Sequence, residues 1–114
     1  MKELTSIQKL DETLKLLSEY NYGRLDGGEI FSKLKKKFPS LENQNDFGTE
    51  LNRILYKLVK DNNFYSTEKI LGGEEIGKYY HITVEGKMFS NEGGYAQDIK
   101  NRGLKNSRIL RNEW

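Results

Sequence analysis

Cysteine is absent from the 114 residues. Disulfides, thiolate nucleophiles and Cys-ligated zinc are excluded together. Histidine occurs once, as His81. A general base or metal centre built on it needs partners, and its neighbours Tyr80 and Ile82 offer strand context instead. Long apolar runs are missing too. Only 35% of residues are hydrophobic against 32% charged, and no stretch approaches the ~18 apolar residues of a membrane span. Met1–Tyr20 is charged throughout and lacks the apolar core of a signal peptide. The expectation is one soluble, cytoplasmic domain with a modest core. It is not an enzyme, because no acidic pair has the spacing of a catalytic dyad, and no cofactor or metal is implied.

What the chain does have is aromatics and locally concentrated charge. Seven Tyr, five Phe and one Trp compensate for the low hydrophobic content, since each buries a large area. The net charge of +2 is too small to argue for nucleic acid alone, but it is unevenly spread. Residues 21–40 carry five Lys or Arg against two acids, and residues 96–114 repeat that excess.

The stretch with the largest stake in a core is Asn43–Asp61. Phe47, Leu51, Ile54, Leu55, Leu58 and Val59 recur at steps of three and four, one face of a helix. Burying them contributes roughly 1.5–3 kcal/mol each before entropy. A first helix is predicted over Ser6–Glu19, with Thr5 and Gln8 as a capping box. Its stripe of Ile7, Leu10, Leu14 and Leu17 is core, a homodimer seam being the alternative. Tyr22–Leu25 is expected as a short edge strand. A second helix opens at Asp26, with Glu29 completing a capping box and Leu25 and Ile30 spaced as a hydrophobic staple. Its inner face is Ile30, Phe31, Leu34 and Phe38, and Pro39 stops it.

Beyond Asp61 the period changes from 3.6 to 2. Asn63–Leu71 and Lys78–Ile82 read as strands of a hairpin with a six-residue tip, Gly72–Gly77. Thr83 caps a short helix, Val84–Ser90, and the basic stretch from Tyr95 onward reads as a frayed helix or packed arm, broken by Gly103. The predicted fold is α+β: a winged helix, that is, a three-helix bundle closed by a two- or three-stranded antiparallel wing, with a short C-terminal helix or arm. Residues 1–94 form the winged-helix domain and 95–114 the basic arm.

Two resemblances sharpen this. Tyr80-His81-Ile82-Thr83-Val84-Glu85-Gly86 resembles the wing ending of MarR- and PadR-type regulators, in which a Thr caps a helix directly after the second wing strand. The longer string from Tyr79 to Phe89, followed by Gly93-Gly94-Tyr95, is similar to small uncharacterised bacterial proteins that join a winged-helix-like head to a C-terminal, often membrane-spanning, helix. The first resemblance implies DNA binding and transcription regulation. The second implies no catalytic residues, and this sequence departs from it in reaching Trp114 without a membrane segment.

Gly72-Gly73-Glu74-Glu75-Ile76-Gly77-Lys78 spells G-x-x-x-x-G-K. A phosphate loop needs a following hydroxyl and helix, whereas Tyr79 and a strand follow here and two glutamates would repel the anion. A hairpin tip is the default. In the third helix, Gln44, Asn45, Thr49, Asn52, Arg53 and Lys57 are the expected readers of a major groove, since Asn and Gln pair with adenine and Arg with guanine. Lys33 and Lys36 of the second helix and Lys69 and Lys78 of the wing are expected at phosphates. Asp46 and Glu50 oppose this reading, because each would sit near phosphates. The alternative is a protein-interaction module, with Tyr56, Tyr65 and Tyr79 exposed for a partner. The C-terminal bases Lys100, Arg102, Lys105, Arg108 and Arg111 fit a phosphate-tracking arm or a juxtamembrane segment.

Overall fold

The computed structural model describes residues 4–20, 23–43 and 46–109, with side chains described for 4–20, 23–41 and 46–102. Its elements are α1 (Ser6–Glu19), β1 (Leu25–Asp26), α2 (Gly27–Lys37), a 3₁₀ turn (Pro39–Asn43), α3 (Phe47–Lys60), β2 (Phe64–Leu71), β3 (Glu74–Ile82), α4 (Val84–Asn91) and α5 (Gly94–Ile109). The chain is therefore α+β, with five helices and one antiparallel sheet in the order β1-β3-β2. This order is compatible with a winged helix followed by a C-terminal helix.

The two predicted capping boxes form. Thr5 Oγ1 accepts from the Gln8 amide while Gln8 Oε1 accepts from the Thr5 amide, and Asp26 and Glu29 make the same reciprocal pair. Each satisfies two amides that a helix start leaves unbonded. Leu25 and Ile30, which flank the second box, are fully buried, so the staple fixes the angle at which the chain enters α2.

One core joins Leu10, Leu14 and Leu17 of α1, Ile30 and Leu34 of α2, Leu41, five residues of α3, Leu25, Phe64 and Tyr95. The α3 contribution is Phe47, Leu51, Ile54, Leu55 and Leu58, while Val59 packs partly buried at the margin. Along the sheet, Leu25, Tyr80 and Ser66 share one row and Phe64 and Ile82 another. Because Leu25 and Phe64 are core residues, this side of the sheet faces the helices. Tyr65, Thr67, Tyr79 and His81 therefore stand on the opposite, outer side.

Several boundaries differ from the sequence reading. Helix α3 begins at Phe47, the first residue of its apolar stripe, and the connector before it contains a 3₁₀ turn, Pro39–Asn43, that drops Leu41 into the core. Gln44 and Asn45 lie outside the described residues. Of the expected strand Tyr22–Leu25, Tyr22 lies outside the described residues, and the described strand is Leu25–Asp26, since Asp26 pairs with Tyr79 before it caps α2.

The hairpin tip is two residues, not six. Gly72 and Gly73 both take positive φ, 61° and 83°, the conformation a tight hairpin turn requires and side chains resist. Glu74 and Glu75 are strand residues paired with Leu71 and Ile70, and a bulge at Ile76 restores the register. The G-x-x-x-x-G-K string is thus a turn and a bulged strand, with no helix behind it. Helix α5 runs through Gly103 without a break.

Candidate nucleic-acid interface

Helix α3 presents Thr49, Asn52, Arg53, Tyr56 and Lys60 to solvent, because its apolar stripe is committed to the core. Its acids are less of an obstacle than composition implied. Glu50 is drawn sideways to Lys9 of α1, 2.6 Å away, and the lysine is buried. An ion pair buried on one side and bridging two helices holds α3 against α1 and removes the Glu50 charge from the exposed stripe. Nothing in the sequence pairs residues 41 positions apart, so only the packing reveals it.

Two of the predicted cations are already engaged. Lys57 reaches back to Asp61 at 3.0 Å and lies 5.5 Å from the centre of the Tyr95 ring. Its ammonium is thus engaged at the junction of α3 with α5. Lys69 crosses the wing to Asp26 at 2.6 Å. It stands opposite Gly77 in the hairpin register. The Lys69 hydrogen bond and the Glu29 amide hold the Asp26 carboxyl below its ordinary pKa, and Asp26 raises that of Lys69. The pair makes Asp26 both a helix cap and the clasp between α2 and the wing. Both lysines were read as exposed cations because strand and helix periodicity show which face a residue is on, not which neighbour it meets.

Four of the remaining candidates, Asn52, Lys78, Lys33 and Lys36, line two adjoining spaces, whereas Thr49 and Arg53 line neither. Asn52 of α3, Lys78 of β3 and Gly27 and Gly28 at the start of α2 line one cleft of about 440 Å³, with Asp26 and Lys69 at its side. Next to it, Ser32, Lys33 and Lys36 line a groove along α2 that shares Asp26 and Gly28 with that cleft. Lys33 and Lys36 are exposed, and the Lys33 ammonium lies 5.4 Å from the Tyr20 ring centre. Arg53, Lys60 and Lys78 are exposed with no ion-pair partner among the described residues. Lys37, the last residue of α2, is held by Glu12 of α1 at 3.2 Å.

His81 is a sheet residue. Its ring stacks on Tyr65, with centroids 4.5 Å apart and 4° between planes, and its Nε2 lies 2.9 Å from Thr67 Oγ1. Partial burial, and then the nearby Arg24 charge, push its pKa below the ordinary value of 6.5. Below pH 6.5 the unfolded chain therefore binds more protons at this position than the folded one, so stability falls as pH drops through that range. It is the only histidine, and carboxylates titrate near pH 4. Thermal unfolding is expected at a lower temperature at pH 5.5 than at pH 7.5. His81→Phe, which keeps the stack, is expected to flatten that difference.

Among the described residues no three His, Asp or Glu side chains gather as they would around a metal ion, and no helix is long and apolar enough to cross a membrane. Compared with protein-family models and with curated proteins, the sequence matches none.

Proposed function

We propose that this chain is a small winged-helix protein that binds duplex DNA and acts as a transcription regulator. In this reading Thr49, Asn52 and Arg53 of α3 enter the major groove, and Lys33, Lys36 and Lys78 hold the backbone on either side. The observation that supports it best is the convergence of Asn52, Lys78 and the start of α2 on one cleft, continuous with the Lys33–Lys36 groove. Three elements separated in sequence bring base-reading and phosphate-binding chemistry to one side, the division of labour such proteins use.

With Lys57 and Lys69 internally paired, four cations remain for phosphate and base contacts. A log–log salt slope of about −4 is expected, so affinity for a mixed-sequence duplex should fall about a hundredfold between 50 and 200 mM salt. Fluorescence anisotropy with a labelled random duplex measures this. Lys33→Ala with Lys36→Ala should flatten the slope by about two, whereas Arg53→Ala should relax preference at one base of a selected site. No binding at 50 mM salt, or a slope near zero, overturns the reading.

One observation favours a second reading. Tyr56, in the middle of the α3 stripe, is 70% exposed, and aromatics of that kind anchor protein interfaces. If α3 instead meets a protein, Tyr56→Ala will abolish capture of that partner while Arg53→Ala leaves every nucleic-acid measurement unchanged.

A further inference from the structure

The outer side of the wing sheet carries a second set of chemistry that the α3 reading does not use. Tyr65, Thr67 and Arg24 on this side are exposed. Its rings are already ordered. Tyr65 and His81, directly opposite each other on β2 and β3, lie parallel and in contact. The contact between His81 Nε2 and Thr67 Oγ1 fixes the imidazole plane. In the next row the Arg24 guanidinium sits 3.8 Å from the centre of the Tyr79 ring, and Lys69 approaches the same ring at 5.6 Å.

The order β1-β3-β2 leaves β2 at the free edge of the sheet. The stack of His81 on Tyr65 therefore ends in open space, with Tyr65 half exposed. A further flat ring placed beside Tyr65 would extend a stack whose orientation is already set, at little entropic cost. Arg24, just before β1 at the other edge of the sheet, stands over Tyr79 in the adjoining row. A ligand that suits this side offers unpaired planar rings linked by negative charge.

We infer that the outer side of the wing sheet is a stacking platform for single-stranded nucleic acid, with an unpaired base laid on the open flank of Tyr65 and phosphate near Arg24. Duplex DNA does not suit it, since paired bases are stacked on one another and present edges rather than faces. Aromatic rings with interspersed cations bind single strands with little sequence preference in this way. The inference stands apart from the α3 proposal, because it uses different residues on a different side of the sheet.

The test is anisotropy with labelled 12-mers of deoxythymidine and of uridine at 50 mM salt, alongside an abasic 12-mer that keeps the phosphates and lacks the bases. Binding of either base-bearing strand, at least tenfold tighter than the abasic one, supports the platform. Tyr65→Leu, which keeps a strand-compatible side chain on an exposed position, is expected to weaken that binding about tenfold. Arg24→Ala should weaken it too, while Arg53→Ala should leave it unchanged. Circular dichroism of each variant establishes that the fold persists. Equal affinity for base-bearing and abasic strands, or an unaltered affinity in folded Tyr65→Leu, overturns the inference, as does absence of binding by the wild-type chain.

Discussion

Replacing Gly86 with alanine should cost this protein upward of ~3 kcal/mol of stability, a large share of the roughly 6–15 kcal/mol a domain of this size commands. Helix propensity alone predicts the opposite sign. Gly86 lies inside α4, and a glycine there is ordinarily about 1 kcal/mol worse than alanine. What reverses the sign is the approach of the chain segment before β2. A Cβ at position 86 would overlap the carbonyl of Asn63, with its carbon only 2.8 Å and its Cα 2.9 Å away. Backbone cannot yield as a flexible side chain can. Asn63 is pinned there, because its carbonyl accepts both the Thr83 amide at 2.9 Å and the Thr83 hydroxyl at 3.0 Å. The same hydroxyl oxygen accepts the Gly86 amide at 2.8 Å. Thr83 and Gly86 thus act together: the threonine caps α4 and clasps the strand entry, and the glycine lets the two backbones meet. Urea unfolding measures the effect. Gly27→Ala is the control, since nothing lies within 4 Å of a Cβ there, and it should be neutral or stabilising by up to about 1 kcal/mol. A Gly86→Ala midpoint close to wild type would show that the segments separate at little cost.

The second large effect is expected at Tyr95. Its ring is buried and meets Phe89 edge-on at 4.9 Å. Its hydroxyl donates to Asp61 at 2.7 Å and accepts from the Asn63 amide at 2.9 Å. Burial, and then the Asp61 carboxylate, push the phenol far above its ordinary pKa, so it stays a donor across the accessible pH range. For Asp61, burial raises the pKa, but the hydrogen bonds from Tyr95 and Lys57 outweigh it and hold the carboxyl below 3.8. Tyr95→Phe leaves Asn63, which is buried, and Asp61 without this partner and should cost ~1–3 kcal/mol. Tyr95→Ala adds a cavity and should cost ~3–5 kcal/mol. If Tyr95→Ala lost no more than an exposed substitution does, residues from 95 onward would be an appendage rather than part of the core. Asp11 of α1 argues otherwise. Its two carboxylate oxygens accept the amides of Tyr95 and Ala96 at 2.6 and 3.1 Å, capping α5 from 84 residues away.

What was legible beforehand follows one rule. Features that depend on neighbours three or four residues apart could be read directly, because the local backbone decides them. The Thr5–Gln8 and Asp26–Glu29 boxes, the Leu25–Ile30 staple, the α3 stripe and the Thr83 cap are of this kind. The hairpin was readable as two strands. Its tip was not, because a bulge at Ile76 shifts the apparent alternation by one residue and made Glu74–Gly77 look like loop.

The candidate interface divides along the same line. Asn52, Arg53, Lys33, Lys36 and Lys78 were placed on exposed faces by periodicity, and they are exposed. Lys57, Lys69 and Glu50 were placed on those faces by the same reasoning, yet each is taken up by Asp61, Asp26 or Lys9. Of these, only the Lys57–Asp61 pair lies within one helical turn, and even there the tertiary contact with Tyr95 sets the geometry.

Three helices, a hairpin and a capped fourth helix could be read from residue order alone, since hydrophobic period and capping chemistry act over a few residues. Packing in three dimensions sets which charges lack an ion pair among the described residues, why position 86 admits no side chain, and that Tyr95 closes the core. Those outcomes rest on contacts between segments 20 to 85 residues apart, where pairing is settled by distance in space, about which residue spacing carries no information.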